Sequence, residues 1–322
     1  MPPSDFIKRK SEKLAEAGYQ HLKDGDAEAA LKVAAQLEVL GFTATFEIAA
    51  LAHGQLGDLE AAVDVLRRGL EIVPTVWINW QLLGNYLSDL ERYDEAASAY
   101  ERALECPDVH QSSVRLNQAI LASRRGLNDQ ALSYAEQVTD PDLALRAASA
   151  RVTALVATGR LDEAMSIGDA ILAKADSDES DEFACLAASL GRARMASGMP
   201  VQEIVAFAIH ALDEYDRNNG QLLALIRDAD NQYSATAKYY RLLIDIKISV
   251  TDPLSQHGAG YFVRYDVVAD SVEQALTFVD RMESTVGRGD LLVQESEVLE
   301  DRSDDPKGVY KRSVRHYYAR EE

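Results

Sequence analysis

Cysteine is nearly absent from this chain, with only Cys106 and Cys185 in 322 residues. Two thiols cannot build a disulfide framework, and their scarcity predicts a reducing, cytoplasmic setting. Histidine is almost as thin. His21, His53, His110, His210, His257 and His316 are scattered, and none pairs at metal-ligand spacing. There is no P-loop, no GxGxxG behind a strand, no HExxH, no CxxC and no GxSxG. Without a convergent acid, base and nucleophile, the chain reads as a non-enzyme that needs no cofactor and no metal. Basic residues are also short: 33 Lys+Arg against 53 Asp+Glu leave a formal charge of −20. A sequence-independent grip on nucleic acid rests on neutralising phosphates, so such a partner is not expected. Long apolar runs are missing too. Met1-Pro2-Pro3-Ser4-Asp5-Phe6 carries no apolar h-region, and neither a secretory signal nor a membrane span is predicted.

What is present divides in two. Hydrophobic residues make up 47%, enough for a folded core. Alanine occurs 43 times in residues 1–237 and only 4 times beyond. Ala-, Leu- and Glu-rich sequence favours helix. After Lys238, β-branched and aromatic residues alternate with polar ones, which favours strand. Charge splits as −16 up to residue 237 and −4 beyond it. The boundary is placed near Ser234–Ala237, giving domains 1–236 and 237–322.

The first domain is periodic. Gly25-Asp26-Ala27-Glu28-Ala29-Ala30 returns as Gly57-Asp58-Leu59-Glu60-Ala61-Ala62, then as phrases beginning at Glu91, Gly126 and Gly159. The intervals are 32, 34, 35 and 33 residues, and a weaker sixth copy turns at Gly198-Met199-Pro200 after the polar insertion at 176–181. Each phrase sits between helix-length amphipathic stretches. Its glycine supplies a positive φ to end one helix, and its acidic residues favour the start of the next. A closing helix near Gly220–Gln232 would cap the stack with a polar outer face.

These copies resemble the tetratricopeptide repeat. The best one has Trp80, Leu83 and Gly84 in its first helix, then Tyr93, Ala96, Tyr100 and Ala103 in its second, with Pro107 past the end. The preceding copy has Phe46, Ala49, Ala50, Gly57, Ala62, Leu66, Gly69 and Pro74. Small residues at Gly84, Ala96 and Ala103 let paired helices approach, while Trp80 and Tyr100 fill the gaps between layers. Leu14 and Arg115 depart from the aromatic position in the first and fourth copies. The resemblance implies an α-helical solenoid of about five to six hairpins, with the first helix of each lining a groove. Some family members clamp a peptide carboxylate there. Carried over position by position, that gives Gln81 and Asn85, then Asn117 and Arg146, with Leu116 beside them. Gln81 stands where Lys is expected, and Ala150 where Arg is expected.

The second domain reads as a small α+β unit of ββαββ order, a four-stranded sheet with one helix. Residues 240–249 and 261–267 alternate with period two, and Thr251-Asp252-Pro253 opens the turn-rich connection between them. Val272, Ala275, Leu276, Val279 and Met282 share one helical face behind a Ser271-x-x-Gln274 capping box. Residues 291–300 and 309–318 are the remaining strands. The uncovered sheet face must be polar, pack on the helices or bind something. Arg288-Gly289-Asp290 reads as a turn. The last strand interleaves basic and aromatic residues, which suits either an edge strand or stacking on RNA. The expected function is a protein-interaction scaffold that takes a protein or peptide partner, with the acidity favouring a basic one. The alternatives are an immunity- or inhibitor-type protein that neutralises a basic protein, and a small enzyme or RNA-binding unit in 238–322 centred on Arg312, Arg315 and His316.

Overall fold

The computed structural model describes residues 5–174, 180–250, 253–283 and 288–319. Thirteen α-helices come first: α1 (Asp5–Lys23), α2 (Ala27–Val39), α3 (Ala44–Gln55), α4 (Leu59–Ile72), α5 (Trp77–Asp89), α6 (Tyr93–Leu104), α7 (Gln111–Arg124), α8 (Asn128–Glu136), α9 (Ala144–Ala157), α10 (Leu161–Leu172), α11 (Ser180–Ala196), α12 (Val201–Glu214) and α13 (Gly220–Asp230). Then follow β1 (Lys238–Ile248), β2 (Gly260–Ala269), α14 (Val272–Met282), β3 (Arg288–Asp301), β4 (Gly308–Arg312) and β5 (His316–Tyr318). The chain forms two compact units, residues 1–150 and 151–322.

The recurring phrase acts as a punctuation mark. Gly25, Gly57, Gly126 and Gly159 have φ of 76°, 79°, 72° and 75°, and Glu91 holds the same left-handed conformation at 59°. In the first two turns the next residue then caps the following helix, whereas Arg92, Leu127 and Arg160 make no side-chain cap bond. Asp26 accepts from the Ala29 amide at 3.0 Å, and Asp58 accepts from the Ala61 amide at 3.1 Å. Each turn therefore ends one helix and starts the next within two residues. In the first unit Ala62, Leu66, Ala96, Tyr100 and Ala103 form part of one buried cluster with Phe46, Leu83 and Leu87. Gly84 lies flat against the ring of Tyr100, with no room for a Cβ.

In the second unit, the change from helix to strand falls at the composition break, and one apolar cluster runs across it. Ile204, Leu212, Leu222 and Ile226 of α12 and α13 join Leu242, Ile244, Val263 and Tyr265 of the sheet and Val279 of α14. The apolar side of α13 is covered by the sheet, while Gln221 and Asp228 stay exposed on its outer side. Leu222, Leu223, Leu225 and Ile226 are all buried, and Arg227 Nη1 donates to the Val309 carbonyl of β4 at 2.6 Å. The sheet supplies the cover that the repeat stack needs at its end.

The sheet is antiparallel, in the order β3-β1-β2-β4, with β5 paired to β2. Tyr240, Leu242, Ile244 and Ile246 lie opposite Val267, Tyr265, Val263 and Tyr261 on the buried face. The alternate face is polar. It carries the Arg241–Asp266 pair (2.8 Å) and Lys247, whose Nζ donates to Tyr318 Oη at 2.9 Å. Ser271 caps α14 by accepting from the Gln274 amide at 3.3 Å, while Gln274 Oε1 accepts from the Asp270 amide at 2.8 Å, so the predicted box closes one residue early.

Two readings of this region need correction. Arg288-Gly289-Asp290 is the start of β3 and not a turn. The strand at 309–318 is broken into β4 and β5, because Ser313 leaves the ladder to exchange bonds with Arg264: its amide donates to the Arg264 carbonyl at 2.8 Å, and its Oγ accepts from the Arg264 amide at 2.9 Å. Residues 251–252 of the expected turn and most of the 176–181 insertion lie outside the described residues.

Replacing Gly84 with leucine should overpack the Tyr100 ring and cost about 1–3 kcal/mol. Thermal unfolding of Gly84→Leu checks this, and a melting temperature equal to the parent's would refute the register.

Candidate functional site

The first helices of the central repeats carry the residues the sequence singled out, and the structure does not treat them alike. Gln81 on α5 is 9% exposed, and its Oε1 is buried with no hydrogen-bond partner. One turn later, Asn85 Oδ1 accepts from Tyr100 Oη at 2.8 Å. That bond joins the two helices of one repeat and fixes the amide plane, which leaves the Asn85 NH2 group pointing away from Tyr100. Burial raises the Tyr100 hydroxyl pKa well above its ordinary value, so it stays a donor at physiological pH. Leu116 on α7 is 1% exposed and serves the packing, not the lining. Its neighbour Asn117 is half-buried, and Arg146 on α9 is exposed. Of these residues Asn85, Asn117 and Arg146 thus remain at the surface, while the unsatisfied Gln81 carbonyl is buried.

Trp80 was expected to fill an interlayer gap. It is half-buried, donates from Nε1 to the Pro74 carbonyl at 2.8 Å, and has the Arg102 guanidinium 5.6 Å from its ring. It forms one wall of a cavity of about 680 Å³ opening between α4 and α6. Leu70, Leu83 and Leu87 line the cavity floor, and Arg67, paired with Glu95 at 2.7 Å, stands at its rim. The repeat pattern assigns these side chains to packing, so the pattern alone gives no sign of the opening.

The basic residues of the last strand are committed elsewhere. Arg315 Nη2 donates to Glu283 Oε2 at 2.6 Å, and its guanidinium lies over the Tyr261 ring. Arg312 is fully buried, donates from Nε to the Arg217 carbonyl and pairs with Asp213 at 2.9 Å. Glu283 also accepts from Arg217 at 2.8 Å, from Tyr261 Oη at 2.7 Å and from Tyr265 Oη at 2.5 Å. Burial alone would raise the Glu283 pKa, but Arg217 and Arg315 outweigh it and hold the carboxyl down at about 2. Of the proposed polar centre only His316 remains exposed. Among the described residues no cluster of His, Cys, Asp and Glu could hold a metal ion, and no helix is long and apolar enough to cross a membrane.

The tetratricopeptide repeat model matches residues 46–75 and 79–105, the two copies with the best-formed pattern. The N-terminal region is a tetratricopeptide repeat array. Solved structures share this fold across about two thirds of the chain. PilW, a widely conserved type IV pilus biogenesis factor, aligns with a TM-score of 0.55 and 16% identity over 67% of this chain and 98% of its own. PilF of Pseudomonas aeruginosa gives 0.54 and 13% over 70% and 99%. A chain of the Cut9–Hcn1 hetero-tetramer of the APC/C gives 0.53 and 13% over 66% and 41%. At such identities the likeness is one of fold. No curated protein matches the sequence.

Asn85→Ala should leave the Tyr100 hydroxyl buried without its acceptor and cost about 1–3 kcal/mol. In the Tyr100→Phe background the same change should cost much less. Equilibrium unfolding of the double-mutant cycle tests the pair, and equal costs in both backgrounds would show that the bond contributes nothing.

Proposed function

We propose that this protein is a non-enzymatic scaffold that holds a protein or peptide partner along the first helices of its central repeats, through Asn85, Asn117 and Arg146. The observation that carries this reading is the set of polar side chains, Asn85, Asn117 and Arg146, that the first helices of successive repeats leave at the surface. Asn85 and Asn117 add amide groups able to both donate and accept, which suits an extended main chain better than a single charged group. The missing Lys and Arg at Gln81 and Ala150 argue against a carboxylate clamp of the family's kind. Cys106 and Cys185 form no disulfide, which fits a reducing cytoplasm.

A neutralising role against a basic protein draws on the overall charge of −20. Long-range attraction of that kind raises the association rate and fades with salt, because the Debye length falls from about 10 Å at 0.1 M to about 3 Å at 1 M. The two readings part on which residues matter. If the groove carries binding, the partner captured by the parent should be lost to Asn117→Ala/Arg146→Ala, both exposed or half-buried positions whose change leaves melting near the parent's. Affinity capture from native lysate at low and high salt, followed by titration of the purified partner, measures this. Full-strength binding by the double variant would exclude the groove.

A further inference from the structure

The sheet offers a second surface, on a different unit from the groove. β3 is the terminal strand of the β3-β1-β2-β4 order, and among the described residues nothing pairs with its outer edge. It is 14 residues long, and residues 294–301 are exposed. An open edge displays a row of unpaired N–H and C=O groups. Proteins usually blunt such edges by shortness, by charged side chains or Pro, by bulges or by a covering element. β3 is long, contains neither Lys nor Pro, and has α14 beside its first few residues only. The register shifts against β1 leave Gln294 and Leu299 of β3 as extra residues, and its largely negative charge repels a like edge while admitting a basic one.

We propose that β3 is a docking edge for an extended, basic segment of another protein, which joins the sheet as an added strand. Charge selects the occupant. β3 carries Asp290, Glu295, Glu297, Glu300 and Asp301 against a single basic residue, Arg288. A second copy of this chain would set carboxylate against carboxylate across the new ladder, and like charges directly opposite are destabilising. Lys or Arg on alternate positions of an incoming strand meets the same carboxylates favourably. Exposed Val298, on the opposite face from Glu295 and Glu297, offers an apolar contact to the intervening residues, while exposed Leu292 lies on the carboxylates' own face. A cleft of about 750 Å³ lies between α14 and the start of β3, lined by Leu276, Thr277, Asp290, Leu291 and Leu292. A helix set beside an open edge in this way provides a side-chain pocket next to a main-chain template, the arrangement by which peptides add to sheets.

The test uses the full chain and an end-blocked eight-residue peptide of alternating Lys and Val. A second peptide of the same sequence carries N-methyl groups on alternate amides, which removes the ladder donors and keeps the charge. Fluorescence anisotropy gives affinity, and hydrogen exchange locates the contact. The unmethylated peptide should bind and slow exchange of β3 amides. Methylation at the register that faces β3, and separately Glu295→Lys/Glu297→Lys, should each weaken binding by about tenfold. Equal binding of both peptides would overturn the proposal, because charge alone would then suffice. Protection confined to the helical repeats, absence of binding, or dimerisation of the chain through β3 would overturn it as well.

Discussion

One buried carboxylate organises the second unit. Glu283, just past the end of α14, is fully buried and accepts bonds from two guanidinium groups and two tyrosine hydroxyls. Taking a charge out of water costs several kcal/mol, and the cost is offset only when every lone pair finds a good donor. Here the donors come from different parts of the chain. Arg217 follows α12, Arg315 lies between β4 and β5, and Tyr261 and Tyr265 stand on β2. Asp213 extends the network by holding both Arg217 (2.7 Å) and Arg312 (2.9 Å). The helical hairpin, the sheet and α14 are thereby tied at one point whose geometry tolerates little movement.

This constraint shapes what the sheet can do. Arg312 and Arg315 look available in the sequence but are consumed in holding the sheet to Asp213 of α12 and to Glu283. Its inner face is sealed by α12, α13 and α14, which leaves the polar outer face and the edges to solvent. In return, the apolar side of α13 receives a cover from the sheet. The first unit is built differently, by repetition of small-residue contacts such as Gly84 on Tyr100, and its polar groups are spread along the first helices.

The repeat turns were legible because one short phrase carries two local signals, a positive-φ glycine and acidic residues at the start of the next helix, and both act within a few residues. Glu91 was found only through its period, since its side chain gives no hint of a left-handed backbone. The strands were legible from alternation, but the break at Ser313 was not, because it answers to Arg264 on another strand. Leu116 was misplaced on the lining for a related reason: a repeat offset fixes which helix face a residue occupies, while burial depends on how closely the next helix packs. The bond from Tyr100 to Asn85 shows the same limit. Both residues fit the repeat, yet nothing in the spacing says that one holds the other. The Glu283 network was invisible, since its members are up to about a hundred residues apart and each reads alone as an ordinary surface charge or core tyrosine.

Within the second unit, Glu283 makes the last helices and the sheet one cooperative body. Hydrogen exchange of β1 and α13 amides in the parent and in Glu283→Gln, at pH 7 and at acid pH, tests it most directly. The folded pKa of about 2 lies below the ordinary 4.5, so the contribution is complete above about pH 4.5 and is lost as pH falls towards 2. At pH 7 the substitution should remove about 3–5 kcal/mol of protection from β1 and α13 alike. The gap between parent and variant should narrow as the pH drops below 4.5. Loss of protection in β1 alone, or a gap that does not change with pH, would contradict the account.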